Sequence, residues 1–327
     1  MKRSLSKIRR FFALALAGLS LWPLHQIRAE TYPSRPIRIL VGATPGGTTD
    51  TIARAIAREI SPALGQQVLV ENKAGVGGNL AADAVAKSAP DGYTLLVSFT
   101  SHTINATLYP KLPYDPAADF TAITQIATVP SMLVSHTKLP ANNLKELIAL
   151  AKAKPGGLTI AIGGIGSSLH LAGEQFKMMA GIQLTNVPYK GTAPALTDVL
   201  GAQVDMMFIS LVTGTEQVRA AKLRAYGVTS ARRQATLPDL PTIGETLPGF
   251  ESTAWFGLFG PAGLPPALTD KLNAAVVASL RNARLREQFS SEGATPVGNS
   301  SAEFSKFVRD DIKRWAPIVR QSGATPD

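Results

Sequence analysis

The sequence has no cysteine and only four histidines among its 327 residues. Without cysteine, disulfide bridges, a lipid-modified cysteine and cysteine-ligated metal sites are excluded. No His-Glu-x-x-His motif is present either, so metal catalysis has no evident ligand set. We therefore expect no metal and no other cofactor. The sequence also lacks low-complexity tracts and repeats of roughly 20–50 residues, which argues against a repeat protein.

Excess charge is modest once the N-terminal segment is set aside. The whole chain carries +10, from 33 basic and 23 acidic residues, but residues 1–29 hold six of the basic residues and no acid. The remainder has 27 basic against 23 acidic residues, a net charge of +4. Lysine and arginine are scattered, without a basic helix face or interleaved aromatic residues. We therefore expect no nucleic-acid partner.

The first thirty residues differ in organisation from the rest. Five basic residues lie within the first ten positions, and an apolar run follows from Phe11 to Leu24. This run is too short to span a bilayer comfortably, and the order of segments is typical of a secretory signal peptide. We predict a signal peptide over residues 1–29, cleaved after Ala29. Arg9-Arg10-Phe11-Phe12 also resembles a twin-arginine signal, and an uncleaved anchor is the alternative.

The remaining 298 residues exceed one ordinary core and predict two domains. Strand-like and helix-like segments alternate, which predicts an α/β fold with parallel sheets and helices on both faces. The predicted strands are 37–41, 67–71, 94–98, 122–128, 131–135, 158–162, 184–188, 204–209, 223–228 and 254–259. The predicted helices are 48–64, 78–88, 143–153, 168–180, 193–200, 214–221, 267–281, 283–291 and 301–320.

The most informative motif joins the first predicted strand to the first predicted helix. The strand 37–41 leads into Ala43, Thr44 and the turn Pro45-Gly46-Gly47, and Thr48-Thr49-Asp50 opens the helix. Free amides and the positive end of a helix dipole suit a bound anion. No lysine follows the glycines, so the motif is not a P-loop. The alternative is an ordinary strand–helix joint, with Asp50 only a favourable partner of the dipole.

A second loop repeats this arrangement about 120 residues later. The strand 158–162 runs into Gly163-Gly164-Ile165-Gly166, and the helix starts at Ser167-Ser168. Either serine is a candidate helix cap, and capping alone is the alternative to ligand contact. If the two loops belong to different domains, they can hold one ligand between two helix N-termini. Hinge closure of the cleft would follow.

Polar residues after two other predicted strands are further candidates, because ligands in open α/β sheets lie at the carboxyl ends of strands. Ser98, Thr100 and Ser101 follow one strand, and their hydroxyls are candidates for lining the cleft. His102, next to them, is interpreted as a loop residue or a hydrogen-bonded partner rather than a catalyst.

Tyr189, Lys190 and Gly191 follow a later strand, and their backbone could reach the far end of a ligand. Lys190 is interpreted either as a charge for a second carboxylate or as a solvent-exposed or ion-paired residue. Asp205 lies in an apolar strand, so its carboxylate must be hydrogen-bonded or paired. It either orders the loops or contacts the ligand.

An enzyme is the alternative class. Ser167, Ser168 and His170 suggest a serine–histidine hydrolase, but no Gly-x-Ser-x-Gly elbow is present. Residues two or three apart at a helix start do not naturally form a nucleophile–base pair. We therefore expect a binding protein, with His170 as a structural residue or a ligand contact.

Ordered motifs across nearly the whole mature chain resemble the Bug (TctC-type) family, the periplasmic solute-binding proteins of tripartite tricarboxylate transport systems. The matching segments include Tyr32–Arg38, Pro45–Asp50, Val70–Asn79, Pro90–Leu96, Gly166–Glu174, Val187–Gly191, Gln203–Phe208, Leu247–Glu251 and Trp255–Phe259. This many matches in order is far more specific than a single glycine motif.

The resemblance implies a periplasmic, monomeric protein with a Venus-flytrap fold, whose chain crosses between domains near 129–131 and 250–254. It implies domains 30–129 plus 253–327 and 130–252, and a small carboxylate bound by main-chain groups and ordered waters. It also implies a membrane permease of the tripartite tricarboxylate type, or a sensor kinase, as partner. The expected ligand-binding residues are Ala43, Thr44, Gly46, Gly47, Thr48, Thr49, Asp50, Ser98, Thr100, Ser101, Gly166, Ser167, Ser168, His170, Tyr189, Lys190, Gly191 and Asp205.

Three departures from the family pattern bear on the ligand. Ala43 stands where an aromatic residue is usual, after Gly42 in place of a common proline, which implies a wider cleft and a bulkier or differently shaped ligand. Thr48 replaces a frequent glycine and adds a hydroxyl beside the carboxylate. Ile209 replaces a frequent aspartate, so a polar contact there is lost. A neutral, amide or aromatic acid ligand is therefore the alternative to an ordinary small organic acid.

Overall fold

The structure is a computed structural model that describes residues 32–189, 191–291 and 293–326. The predicted signal peptide lies outside the described residues. Eleven strands are described: β1 Ile37–Val41, β2 Val68–Asn72, β3 Thr94–Phe99, β4 Phe120–Val129, β5 Ser131–His136, β6 Thr159–Ile162, β7 Thr185–Pro188, β8 Met206–Ser210, β9 Leu223–Val228, β10 Ala254–Pro261 and β11 Thr295–Pro296.

Ten helices accompany these strands in the described part of the chain. They are α1 Thr48–Leu64, α2 Asn79–Ala86, α3 Ser101–Leu108, α4 Leu144–Ala153, α5 Ser168–Ala180, α6 Thr192–Leu200, α7 Leu211–Arg219, α8 Pro266–Ser279, α9 Ala283–Ser291 and α10 Ser301–Ser322. Short 3-10 turns lie at Val76–Gly78 and Ile243–Glu245. None of the described helices is long and apolar enough to cross a membrane.

The strands form two sheets. The first has the order β11-β4-β10-β3-β1-β2, and the second has the order β7-β6-β8-β5-β9. Pairing is parallel where β1 meets β2 and β3, and where β6 meets β7 and β8. Strand β10 runs antiparallel to β3 and β4, and β5 runs antiparallel to β8 and β9.

The chain passes between the sheets at two adjacent points. Strand β4 ends at Val129, and β5 begins at Ser131 after Pro130, while the returning chain enters β10 at Ala254. Val129 pairs with Ala254. The buried Thr229 ties the crossings together: its hydroxyl accepts from the Ser131 amide at 2.9 Å, and its carbonyl accepts from the Ser252 amide at 3.0 Å.

Each sheet has its own apolar core. The first contains the aromatic residues Trp255, Phe259 and Phe304, with the Phe304 ring placed where Gly257 has no side chain. The second is built around aromatic and aliphatic residues of β6, β8, α4 and α5. A further cluster joins α3 and α10 to α5 through Ile104, Leu108, Leu171, Trp315, Ile318 and Val319.

Most predicted elements are confirmed. Helices 48–64, 168–180 and 283–291 and strands 37–41 and 223–228 match at both bounds, and the α/β fold is confirmed. The expectation of parallel sheets is wrong for β5, β10 and β11, since β11 pairs antiparallel with β4. Strand β5 follows β4 without a helix between them, and β10 re-enters the first sheet from the second, so neither belongs to a parallel crossover unit. The loop expected at Ser101-His102 is instead the start of α3.

Candidate functional site

A small cavity lies where the chain crosses between the two sheets, and we call it the cleft cavity. Its volume is about 160 Å³. Its lining combines five hydroxyl-bearing residues with apolar ones: Thr48, Ser131, Ser168, Ser210, Ser252, Val129, Pro130, Leu169, Ala254 and Phe256. Among the described residues, none of those that line it carries a charged side chain. The cleft cavity therefore offers hydrogen bonds without a fixed ionic partner.

The turn before α1 is held by the side chain of Asp50. Gly46 has φ 79°, a conformation that glycine adopts without strain, and its amide donates to Oδ2 of Asp50 at 2.9 Å. Arg54 Nε donates to the same oxygen at 3.0 Å, and Asn72 Nδ2 donates to Oδ1 at 2.9 Å. Asn72 also donates to the Ala43 carbonyl at 3.0 Å. Asp50 is therefore a buried organiser of the turn.

Electrostatics at Asp50 favour the ionised carboxylate. Burial by itself would raise the pKa of Asp50, but the hydrogen bonds from Arg54, Gly46 and Asn72 outweigh burial and hold that pKa below its ordinary value of 3.8. The carboxylate also sits in the first turn of α1, where the helix dipole favours a negative charge. The turn is therefore fixed at neutral pH.

The start of α1 leaves amides available for a ligand. Gly47 is the N-cap and supplies no side chain, and the first intrahelical bond runs from the Thr51 amide to the Gly47 carbonyl at 3.0 Å. The amides of Thr48, Thr49 and Asp50 thus have no partner within the helix. Thr48 is exposed and lines the cleft cavity, whereas Thr49 and Asp50 are buried.

The turn before α5 is built in the same way. Gly166 has φ 72°, and its amide donates to Nδ1 of His170 at 3.0 Å. Ser167 caps the helix by accepting from the His170 amide at 3.2 Å. A Cβ on Gly166 would lie 2.7 Å from Leu108, so the turn also packs closely against α3. Ser168, the first helical residue, lines the cleft cavity.

Glu174 supports His170 from the next turn of α5. Its Oε1 lies 3.3 Å from His170 Nε2 and 2.7 Å from Lys177 Nζ, and accepts from Asn186 Nδ2 at 2.8 Å. Burial by itself would raise the pKa of Glu174, but hydrogen bonds from His170, Lys177 and Asn186 outweigh it and lower that pKa. Because Nδ1 of His170 accepts a hydrogen bond from the Gly166 amide, a neutral ring carries its own proton on Nε2, which lies 3.3 Å from Glu174 Oε1.

Of the ten residues that line the cleft cavity only Thr48 and Ser168 were predicted, and three of the others carry hydroxyl groups. Ser210 ends β8 and caps α7 by accepting from the Thr213 amide at 3.4 Å. Ser131 and Ser252 are buried at the two crossings. The signal for Ser210 was present, since a hydroxyl residue directly after a predicted strand is the pattern used for the other loops. The two crossing serines gave no such signal, because neither follows a glycine turn or opens a helix.

The hydroxyl-bearing residues predicted to line the cleft at the end of β3 lie mainly within the fold. Thr100 is buried, and its Oγ1 accepts from the Trp255 amide at 3.0 Å. Ser98 is buried in β3 opposite Gly257, and Ser101 is half-buried at the start of α3. His102 is the hydrogen-bonded partner that the sequence suggested, with Nε2 2.9 Å from the Pro116 carbonyl. Burial lowers the pKa of His102 to about 4, so the ring is neutral at pH 7.

The candidates of the second sheet are spread more widely. Gly191 caps α6, whose first residue Thr192 packs against Gly163, so this helix start lies beside the turn before α5. Tyr189 donates to Asp198 Oδ2 at 2.6 Å, which raises the pKa of Tyr189 to about 12. Lys190 lies outside the described residues.

Asp205 lies just before β8, at the end opposite Ser210. Its Oδ2 accepts from the amide and the hydroxyl of Thr159 at 2.7 and 2.8 Å. Ser210, which lines the cleft cavity, lies five residues further along the chain, at about 16 Å of extended strand from Asp205. This geometry gives Asp205 a structural contact at the far end of the second sheet.

The positions that depart from the family pattern have distinct surroundings. A Cβ on Gly42 would lie 2.5 Å from Gly78 Cα, so close backbone packing accounts for glycine there. Ala43 is half-buried, and Thr44 is exposed beside it. Ile209 is fully buried in the second sheet's apolar core and is absent from the cleft lining.

Comparison with known proteins identifies the family of this chain. The TctC family model, described as "Tripartite tricarboxylate transporter family receptor", matches residues 52–324. Protein BugT of Bordetella pertussis is 38% identical over 327 residues, covering 99% of this chain and 98% of that protein.

Two solved relatives were determined with ligands. Rpa4515 of R. palustris with adipate is 36% identical, covers 90% of this chain and 100% of its own, and superposes with a TM-score of 0.75. MatC (Rpa3494) from Rhodopseudomonas palustris with bound malate is 35% identical, covers 88% and 100%, and has a TM-score of 0.72. The periplasmic-binding-protein fold is confirmed, and the chain belongs to the TctC (Bug-type) family of tripartite tricarboxylate transporter receptors.

Proposed function

We propose that this protein captures a small organic acid, of the size of malate or adipate, in the cleft cavity for uptake or sensing. The observation that carries the proposal is that Thr48 and Ser168, each the first residue of a helix that follows a glycine turn, line the same cavity. The lining between these two helix N-termini has no charged side chain, and the charge of Asp50 in the first turn of α1 is paired with Arg54, so the arrangement suits a carboxylate. Rpa4515 with adipate and MatC with malate support this ligand class.

The carboxylate would be held by free amides of the first turn of α1 and by the hydroxyls of Thr48 and Ser168. Ordered waters would complete its hydrogen bonds, since water bridges are nearly as favourable as direct ones. Ser131, Ser210 and Ser252 would contact the rest of the molecule. Gly46 and Gly166 donate to Asp50 and His170 instead, so we assign these four residues to positioning the turns.

The proposed mechanism is domain closure about the two crossings. The predicted domains, 30–129 plus 253–327 and 130–252, each contain one sheet. Thr229 would act as the fixed point, because it bonds to both crossing segments. The apolar cluster of α3, α5 and α10 spans the two predicted domains and would favour the closed form.

Export and partners follow from the same proposal. The predicted signal over 1–29 would deliver a monomer to the periplasm, where it presents the acid to a permease of the tripartite tricarboxylate type. Delivery to a sensor kinase is the alternative. A pull-down with the permease's membrane subunits, with and without the acid, distinguishes them, because only a transport receptor should be retained there when loaded.

A neutral, amide or aromatic acid ligand is the second candidate, favoured by Ala43 and by the uncharged cleft lining. Catalysis is not proposed. The Ser167 hydroxyl caps α5, and Nδ1 of His170 is occupied by the Gly166 amide. No hydroxyl of Ser167 or Ser168 bonds to the His170 ring in the described part of the chain, so the residues are not arranged as nucleophile and base.

Thermal unfolding of the mature protein against acids, amino acids and amides tests the proposal. A ligand at about 100 times its Kd should stabilise the protein by roughly 2.7 kcal/mol. A shift with one acid class supports carboxylate capture and identifies that class. A shift with amides or neutral compounds alone would favour the second candidate, and no shift with any compound would count against both.

A further inference from the structure

A second cavity, which we call the outer cavity, lies between the crossing strands and α10. Its volume is about 370 Å³, larger than that of the cleft cavity. Small-molecule sites commonly measure about 300–1,000 Å³, so the outer cavity has room for an organic ligand. Its walls come from the end of β4, the start of β10 and one side of α10.

The two cavities lie on opposite faces of one stretch of chain. Successive side chains of an extended strand point to opposite sides. Within residues 251–256, the odd-numbered residues line the outer cavity, namely Glu251, Thr253 and Trp255. The even-numbered residues line the cleft cavity, namely Ser252, Ala254 and Phe256. An occupant of the outer cavity would therefore contact the same crossing segment that borders the cleft.

A polar side chain at the outer cavity lacks a partner. Gln125 is only 6% exposed, and no described residue hydrogen-bonds to its side-chain amide. The hydroxyl of Thr253 also has no hydrogen-bond partner in the described part of the chain, but it is closed off from the cavity. Buried polar groups are nearly always hydrogen-bonded, because leaving one unpaired is costly. The Gln125 amide would be satisfied by a ligand with its own donors and acceptors.

Charge at the outer cavity favours a cation. Three acids, Glu251, Asp310 and Asp311, line it with one base, Arg314. Asp311 is paired with Arg314 at 2.6 Å, and Asp310 is paired with Lys306 at 2.6 Å. Glu251 is exposed and has no ion pair among the described residues. Arg314 also lies close to Glu251, since its Nη1 donates to the Glu251 carbonyl at 2.9 Å, but its ion-pair partner is Asp311. A cationic ligand would give the Glu251 carboxylate a partner.

The apolar part of the lining indicates which kind of ligand body would fit beside the charged group. Phe307 is half-buried in the cavity lining and stands perpendicular to Trp255, with ring centroids 5.8 Å apart, whereas Trp255 itself is fully buried. Aromatic faces attract organic ammonium groups and pack well against apolar bodies. The preferred occupant would therefore combine an ammonium group with an aromatic or aliphatic body.

We propose that the outer cavity is a second ligand site, which binds a small organic amine in its ammonium form. The cleft binds the opposite charge class, so the two sites would not compete. Because both sites border residues 251–256, amine binding should change the affinity of the cleft for its acid, and the reverse by the same factor. This coupling alone rests on the proposed function.

Calorimetric titration of the mature protein with benzylammonium, without any carboxylate, tests the site. Benzyl alcohol is the matched neutral probe. We expect saturable binding of benzylammonium, at least about fivefold tighter than benzyl alcohol. A change in tryptophan emission should accompany binding. The emission reports on this region, because removal of the signal at Ala29 leaves Trp255 and Trp315 as the two tryptophans of the mature chain.

Variants locate the bound amine. Glu251→Gln should weaken benzylammonium about three- to fivefold, while the control Glu287→Gln, an exposed acid on α9, should leave it unchanged. Gln125→Leu should weaken both probes, because it removes the unpaired amide and keeps most of the shape.

No binding of benzylammonium, equal affinity for benzyl alcohol, or equal effects of Glu251→Gln and Glu287→Gln would each overturn the proposal. None of these results depends on acid binding in the cleft, so failure of the proposed function would be seen separately.

Discussion

The amide of Gly166 donates to Nδ1 of His170 over 3.0 Å, and the amide of Gly46 makes the equivalent bond to Asp50 over 2.9 Å. In both turns the glycine has a positive φ, and the acceptor is the third residue of the following helix. The two turns thus share one construction with different acceptors. A neutral imidazole has one acceptor nitrogen and so accepts one hydrogen bond here, whereas the Asp50 carboxylate accepts three.

Replacement of His170 tests whether it positions the turn. His170→Ala leaves the buried Gly166 amide without an acceptor, so we expect a loss of about 1–3 kcal/mol of unfolding free energy in urea and weaker acid binding. His170→Asn keeps an acceptor and should retain more of both. The control His136→Ala removes another buried histidine, which faces Asp205, and should lower stability without changing Kd. Equal effects of the two alanine variants on Kd would contradict the positioning role.

Asp50 should make stability dependent on acid pH. Its folded pKa lies below the ordinary value of 3.8, so its stabilising contribution is fully present above that value and is lost as the pH falls through the lowered folded pKa. Asp50→Asn keeps an acceptor for Gly46 but cannot titrate. The variant should therefore be less stable at pH 7 and lose less stability between about pH 5 and pH 2. Parallel pH profiles of urea unfolding for the two proteins would count against this assignment.

Variants of the two serines at the start of α5 should distinguish helix capping by Ser167 from ligand contact by Ser168. Ser168→Ala removes one neutral hydrogen bond to the acid and should weaken binding by about 1 kcal/mol, or roughly fivefold in Kd, with little change in stability. Ser167→Ala removes the cap and should lower stability by about 1 kcal/mol. Ser300→Ala, which removes the cap of α10, is the control for capping alone. Unchanged affinity in Ser168→Ala would remove Ser168 from the contact set.

The turns before α1 and α5 were predictable because their signals are local. A strand pattern, a glycine turn and a hydroxyl at a helix start lie within about a dozen residues, and the bounds of α1 and α5 came out as predicted. The roles of Asp50 and His170 were harder to assign, because each depends on a hydrogen bond four residues back that only the folded turn brings into line.

Features made by distant parts of the chain were not predictable from one sequence. The hydroxyl of Thr100 accepts a hydrogen bond from the amide of Trp255, which lies 155 positions later. Helix α3 has no clear apolar period, and its place is fixed by contacts with α10 and Leu171. Ser131 and Ser252 come together only because Thr229 bonds to both crossings. Tertiary contacts decide such positions, and no local pattern records them.

Ala43 should set the size of acid that the protein accepts. The residue is half-buried in the turn before α1, and its carbonyl is fixed by Asn72. Ala43→Phe restores the usual aromatic residue and should narrow the space beside Thr48. Acids with a bulky body should then lose at least about fivefold in affinity, while acids of the size of malate lose less. Thermal shifts across a graded acid series measure the effect, with Ala283→Phe on the exposed start of α9 as control. A uniform loss across the series would mean that Ala43 acts on the turn and not on ligand size.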